Sequence, residues 1–191
     1  MEKEDVKMDS VFQQLYEKYH QEVFQFLFYM VKNRETAEDL MQEVYIKVLH
    51  NYKQFEGKSS EKTWLYSIAR NTAIDHFRKQ KSWKQRLFSN YDWSRDTIKD
   101  EQPLPEEIAL VHDEVKALYK SLDHCNIDQR AVLILRYIQS LSIIETAKVL
   151  GWTESKVKTT QHRALKTVKG ILENEVRKGG WYDEKVTVGR E

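Results

Sequence analysis

The stretch LSIIETAKVLGWTESKVKTTQHRALKTVKG, residues 141 to 170, constrains the fold of this chain more tightly than any other. Ser142, with Glu145 three positions on, forms a capping box in which each side chain satisfies the other residue's backbone N–H, so a helix starts there. Ala147, Gly151 and Val157 supply the small residue, the turn glycine and the buried aliphatic that let two short helices cross at a tight turn. The second of these helices carries Lys156, Lys158, Arg163, Lys166 and Lys169 against one acid, Glu154. A basic face of this kind can be plain solvated surface on a helical hairpin. Combined with the turn chemistry it predicts DNA binding, since phosphates demand cations and base edges in the major groove demand Arg, Lys, His, Thr and Gln side chains.

A chain of 191 residues can form one domain or two small ones. Its hydrophobic fraction of 40% suffices for a core, and with only 2 Pro, 6 Gly and no strongly alternating segments the expected class is all-α. The longest apolar run, 24 to 31, is too short to span a bilayer, and no signal-peptide pattern opens the chain. The single cysteine, Cys125, excludes an internal disulfide and fits a reducing cytoplasm, where it would pack as a small apolar residue. The net charge of +1 conceals an asymmetry. Residues 82 to 108 hold Asp92, Asp96, Asp100, Glu101, Glu106 and Glu107 against Lys84, Arg86, Arg95 and Lys99, whereas the region after 109 is basic on balance.

The pattern divides the chain into two small helical domains joined by a flexible linker: 10–81, a linker 82–107, a helix-turn-helix domain 108–178, and a tail 179–191. In the first, Phe12, Leu15, Tyr16, Tyr19, Val23, Phe26, Leu27 and Met30 recur at spacings of three and four, predicting one long amphipathic helix. Asn33 caps a second helix whose buried stripe is Ala37, Leu40, Val44, Val48 and Leu49. After the polar loop EGKSSEK comes a third helix, with Trp64, Leu65, Ile68, Ala69, Thr72 and Ala73 inward and Arg70, Asn71, His76, Arg78, Lys79 and Lys81 on the other face. In the linker the periodicity is lost from Ser82, but Trp83, Phe88, Tyr91 and Trp93 suggest that it docks on something. Pro105, followed by Glu106 and Glu107, opens the next helix, which runs to about Leu122; another covers Asp128 to Ile138.

Catalytic chemistry is not evident. The sequence has no nucleophile–base pattern or Gly-rich phosphate loop, and the six histidines never fall at the i, i+4 spacing of a helical zinc site, so neither metal nor cofactor is expected. Two cationic helical modules suit a repressor, an RNA-binding adaptor or a promoter-recognition subunit. Lys58, Ser59 and Ser60, flanked by Phe55 and Trp64 beside a helix bearing Asn71, suit an unstacked base better than an intact groove. Phe55 and Trp64 as simple core is the competing reading.

The segments AEDLMQEVYIKVL (37 to 49) and FEGKSSEKTWLYSIARNTAIDHFRK (55 to 79), followed by the terminal helix-turn-helix, resemble an extracytoplasmic-function sigma factor of bacterial RNA polymerase over roughly residues 10 to 172. The resemblance implies a non-enzymatic subunit that joins core polymerase, through the coiled coil of its largest subunit and its flap region, and takes it to promoter DNA. By position, Asp39, Leu40, Gln42 and Glu43 match the motif that grips the coiled coil. The loop from Phe55 to Thr63, with Asn71, matches the pocket for a flipped non-template base of the minus-ten element, to which Lys58, Ser59, Ser60, Trp64, Arg70, Arg78 and Lys79 would add contacts. Lys158, Thr159, His162 and Arg163 match readers of the minus-thirty-five element, flanked by Ser155, Lys156 and Lys166. The linker matches the segment that threads the polymerase cleft. An anti-sigma factor, often membrane-bound in such systems, is the further expected partner, with no small-molecule substrate. A stand-alone helix-turn-helix regulator with an N-terminal effector or dimerisation module would explain residues 141 to 170 equally well, but leaves DLMQEV and the loop unused. A helical enzyme with a DNA-binding tail lacks a site.

Overall fold

The computed structural model describes residues 2–52, 55, 57, 59–87, 116 and 119–177; the acidic linker from 88, the expected helix start at Pro105 and the tail lie outside them. Every regular element among the described residues is helical. In chain order these are α1 (Glu2–Val31), α2 (Arg34–Asn51), α3 (Glu61–Leu87), a short 3-10 turn (Leu122–His124), α4 (Ile127–Leu133), a wide π turn (Ile134–Ile138), α5 (Ile143–Leu150) and α6 (Glu154–Arg177).

Local chemistry sets most of these boundaries. Asn33 Oδ1 accepts from Thr36 N–H at 2.8 Å and starts α2. Asn126 and Gln129 form a reciprocal capping box at α4, and Ser142 with Glu145 forms another at α5. Gly151 ends α5 at φ 65°, a left-handed conformation that costs a residue with a Cβ but not glycine. Two helices outrun their expected lengths: α3 continues past Lys81 to Leu87, and α1 begins at Glu2 instead of near Ser10. Polar helix formers after Lys81 carry no apolar period, so periodicity alone ends the helix too early.

Helices α1, α2 and α3 pack as a three-helix unit around Val23, Phe26, Leu27, Met30, Val44, Val48, Leu65 and Ala69, all essentially inaccessible. Tyr45, Tyr66 and Phe77 also face inward, while Tyr16 and Leu49, expected in the buried stripes, are partly exposed at 39% and 36%. Tyr16 instead stacks against His20 and edges onto Tyr45. In the C-terminal half, α4, α5 and the 3-10 turn pack on α6, with Leu122, Cys125, Leu133, Ala164 and Val168 forming a smaller cluster.

The two halves share a core. Helix α5 packs against α3, the π turn packs against α1, and Leu135, Leu141, Ala147 and Leu150 belong to the same buried cluster as Val23 and Leu65. Polar groups lock this contact. Arg130 donates to the Met30 carbonyl at 2.8 Å and to the Leu122 carbonyl at 2.9 Å, and Lys32 pairs with Asp123 at 2.6 Å. Further along, the Tyr66 hydroxyl donates to Gln139 Oε1 at 2.6 Å, and Gln139 Nε2 donates to Gln25 Oε1 at 3.1 Å.

Candidate nucleic-acid and polymerase interfaces

The approach to α3 is aromatic. Phe55 and Trp64 have ring centroids 5.0 Å apart, and Tyr52 lies 6.2 Å from Phe55 and 6.1 Å from Trp64. Tyr52, the last-turn neighbour of α2, completes a three-ring wall that the sequence reading did not include. Its signal was present as an aromatic three residues before Phe55, whose N–H bonds the Tyr52 carbonyl at 2.9 Å. All three rings are half-buried, so they pack on one another while keeping an open side. Gly57 turns the loop at φ 69°.

The loop serines have structural work of their own. Ser60 Oγ accepts from Thr63 N–H at 3.1 Å and shares a hydrogen bond with Thr63 Oγ1 at 2.8 Å, capping α3. Ser59 Oγ lies 3.4 Å from the Ser60 carbonyl. Lys58 lies outside the described residues.

Trp64, Asn71 and Arg78 recur every seven residues and therefore fall on one stripe of α3, Asn71 lying about 10 Å along the axis from Trp64. Asn71 is exposed, and its Oδ1 accepts from Arg70 Nη1 at 3.0 Å, an arrangement that does not use its amide N–H groups. Arg70 is only half-exposed and its Nε is buried, so it orients Asn71 more than it offers a free cation. Arg78 and Lys79 are exposed, Arg78 sharing its charge with Asp75 at 3.2 Å. His76 is half-buried against Phe77, and burial holds its pKa below the ordinary value, outweighing the opposing pull of Glu43.

On α2, Asp39 and Gln42 are exposed and Glu43 half-buried, whereas Leu40 is 5% exposed and sits in the core, where it fixes the rotation of the helix instead of offering a surface. Glu43 pairs with Lys47 at 2.7 Å, and Lys47 donates to Thr72 Oγ1 on α3 at 3.0 Å. The same face continues into Ile46, 54% exposed, and Leu49, giving the acidic patch an apolar neighbour that the sequence reading did not single out.

On α6, Ser155, Lys156, Lys158, Thr159, His162, Arg163 and Lys166 are all exposed, brought onto one broad face by the helical period. Thr153 Oγ1 caps the helix by accepting from Lys156 N–H at 3.2 Å. The Lys156 ammonium lies 3.8 Å from the centroid of the Trp152 ring, a cation–π contact at the mouth of the turn. Lys158 lies 4.0 Å from Glu154, an exposed pair too weak to withhold the cation from a phosphate. Between these residues Gln161 is held from below, accepting from Arg136 Nε at 3.1 Å and donating to the Tyr137 hydroxyl at 2.9 Å.

Comparison with known proteins explains this combination. Residues 15–82 match the family Sigma-70 region 2, and residues 116–168 match Sigma-70, region 4. The chain is 57% identical over 166 residues to the ECF RNA polymerase sigma factor SigX of Bacillus subtilis, covering 87% of this chain and 86% of that one. The chain belongs to the extracytoplasmic-function sigma factors of RNA polymerase. The RNA polymerase sigma factor YlaC of the same organism is 37% identical over 161 residues, covering 84% of this chain and 91% of its own. Among solved structures, the sigma factor RpoE of Bartonella quintana, crystallised with the anti-sigma factor NepR, shares the fold with a TM-score of 0.66 at 23% identity, covering 85% of this chain and 96% of that one. As a sigma factor the chain is not an enzyme. It is an initiation factor that joins core RNA polymerase and directs it to particular promoters.

Proposed function

We propose that the three surfaces divide promoter selection between them. The α2 face of Asp39, Gln42, Glu43 and Ile46 meets the polymerase coiled coil. The Tyr52–Phe55–Trp64 wall and Asn71 receive an extruded non-template base of the minus-ten element, with Arg78 and Lys79 on the neighbouring phosphates. The exposed face of α6 reads duplex DNA at the minus-thirty-five element. The observation that carries this reading is the half-open aromatic wall at the start of α3. In a duplex the bases are stacked and their Watson–Crick edges occupied, whereas an unpaired base can stack on aromatic rings for about 1–3 kcal/mol. That gain is available only after strand separation, so recognition is coupled to melting without nucleotide hydrolysis.

The spacing of the two elements adds a requirement. Positions minus ten and minus thirty-five are about 85 Å apart along B-form DNA at 3.4 Å per base pair. A compact unit of this size is roughly 40 Å across. Simultaneous readout therefore needs the contact between the halves to open, and the chain between 88 and 115 can reach on the order of 90 Å when extended. The closed form described above is the free protein; the open form is the polymerase-bound one. An anti-sigma factor acting on the closed form, and a cytoplasmic location, complete the proposal. No described helix is long and apolar enough to cross a membrane.

The test is binding of the full chain, assembled with core polymerase, to non-template oligonucleotides substituted one base at a time. One base should matter far more than its neighbours, and Asn71→Ala should erase that preference while phosphate-driven binding persists. An even response to every substitution would make the wall ordinary surface.

A further inference from the structure

Gln161 lies on the DNA-facing helix but is not free to read a base. Its carbonyl oxygen accepts from Arg136 Nε and its amide donates to the Tyr137 hydroxyl, so both ends of the side chain are engaged. Arg136 is itself tied to the Leu141 carbonyl, the residue that leads into the α5 capping box. This relay begins in the π turn Ile134–Ile138, where Gln139 N–H bonds the Ile134 carbonyl at 2.9 Å. The wide turn places Arg136 and Tyr137 beside α6. Tyr137 is 53% exposed. A lone exposed aromatic needs no explanation, but this one has its hydroxyl held by the Gln161 amide.

The position is informative. At 100° per residue, Gln161 stands 60° from Lys158 around α6, on the margin of the exposed basic face. Tyr137 therefore extends that face sideways, on the side from which α5 is approached. In helix-turn-helix docking the second helix enters the major groove while the element before it crosses the sugar–phosphate backbone. Because the Tyr137 oxygen accepts from Gln161, its own O–H proton is directed elsewhere, and no described protein group accepts it. A neutral donor, presented at the groove edge beside a cationic face, suits a phosphate oxygen.

We propose that Tyr137 donates a hydrogen bond to a backbone phosphate of the upstream promoter element, with Gln161 as the residue that positions it. The inference rests on the reading of α6 as the duplex-binding helix. A neutral contact has a signature distinct from that of a lysine: losing it weakens binding on every sequence alike without changing the salt slope, because no counterion is released. Losing Lys158 flattens the slope by about one unit.

The experiment uses holoenzyme made from the full chain and core polymerase, binding promoter duplexes across a range of salt. Tyr137→Phe, which keeps the ring, should weaken binding about three- to tenfold. The loss should be the same on all variants of the upstream element, with an unchanged salt slope and thermal midpoint. Gln161→Leu should give a similar loss, and the double variant no more than either alone. A methylphosphonate at one phosphate should abolish the difference between Tyr137→Phe and the unsubstituted chain. Binding by Tyr137→Phe equal to that of the parent, or a loss confined to one base pair, overturns the proposal. Arg163→Ala serves as the control: if it too leaves binding intact, the assignment of α6 fails, and with it the premise.

Discussion

The guanidinium of Arg130 donates to the carbonyl of Met30 across 2.8 Å, so a residue of the C-terminal half caps the last turn of α1. That turn has carbonyls without intrahelical partners, and a cation there also opposes the negative end of the helix dipole. Arg130 is 1% exposed and lies 3.7 Å from Asp123, which also binds Lys32, a residue at φ 59° just past the helix end. Buried ion networks are weak sources of net stability but costly to break, because each removal strands its partners. Such a contact specifies one docking geometry between the halves without making it permanent.

Arg130→Met, which keeps most of the aliphatic stem, should therefore cost on the order of 3 kcal/mol in urea unfolding. It should also loosen the interface, seen as faster amide exchange at the end of α1. A cost below about 1 kcal/mol would mean that water already serves the Met30 carbonyl.

Acid should weaken the fold through His76. Burial keeps its pKa below the ordinary 6.5, so in that range the unfolded chain binds a proton that the folded chain resists. Stability should fall as pH drops through about 6.5 and level off once pH is below the lowered native value. The urea midpoint of His76→Gln should show a shallower slope over that window; an identical slope would assign the effect to another group.

Polymerase binding should depend on the outer face of α2. Gln42→Ala combined with Glu43→Lys should weaken affinity for core enzyme while leaving the circular-dichroism spectrum intact. The Glu43–Lys47 pair that is lost is partly exposed and contributes only a few tenths of a kcal/mol. Unchanged affinity with an intact spectrum contradicts the assignment.

Two basic residues of α6 should separate by mechanism. Arg163→Ala should cost about 1–3 kcal/mol with relaxed preference at one promoter position, as expected for a base-edge contact. Lys158→Ala should weaken all sequences alike. Equal, sequence-independent losses in quantitative promoter binding would make Arg163 a phosphate contact as well.

What the sequence revealed was local. The caps at Asn33 and Ser142, the turn at Gly151 and the basic face of α6 depend on residues within one or two turns of each other, so spacing exposes them. The docking of the halves was not visible in this way. Arg130 with Met30, and Tyr66 with Gln139, are brought together from distant parts of the chain by the packing of α1 and α3 against the C-terminal half, and nothing in a helical period signals them. Tyr45, Tyr66 and Phe77 escaped the expected core for a related reason: they sit off the main stripe of their own helix and are buried by a second neighbour. Ser60 caps α3 as well as lying in the loop, a local role that its spacing to Thr63 signals.

The central claim is that two halves closed on each other in the free protein separate to read two distant promoter elements. Energy transfer between dyes at Gln80→Cys on α3 and Lys169→Cys on α6 measures this directly. Cys125 will not compete for label, being 1% exposed with its thiol pushed up to about 11 by burial. Transfer should be efficient in the free protein and should drop sharply once core polymerase and promoter DNA are bound. Unchanged transfer in a complex that is transcribing from that promoter would contradict the account.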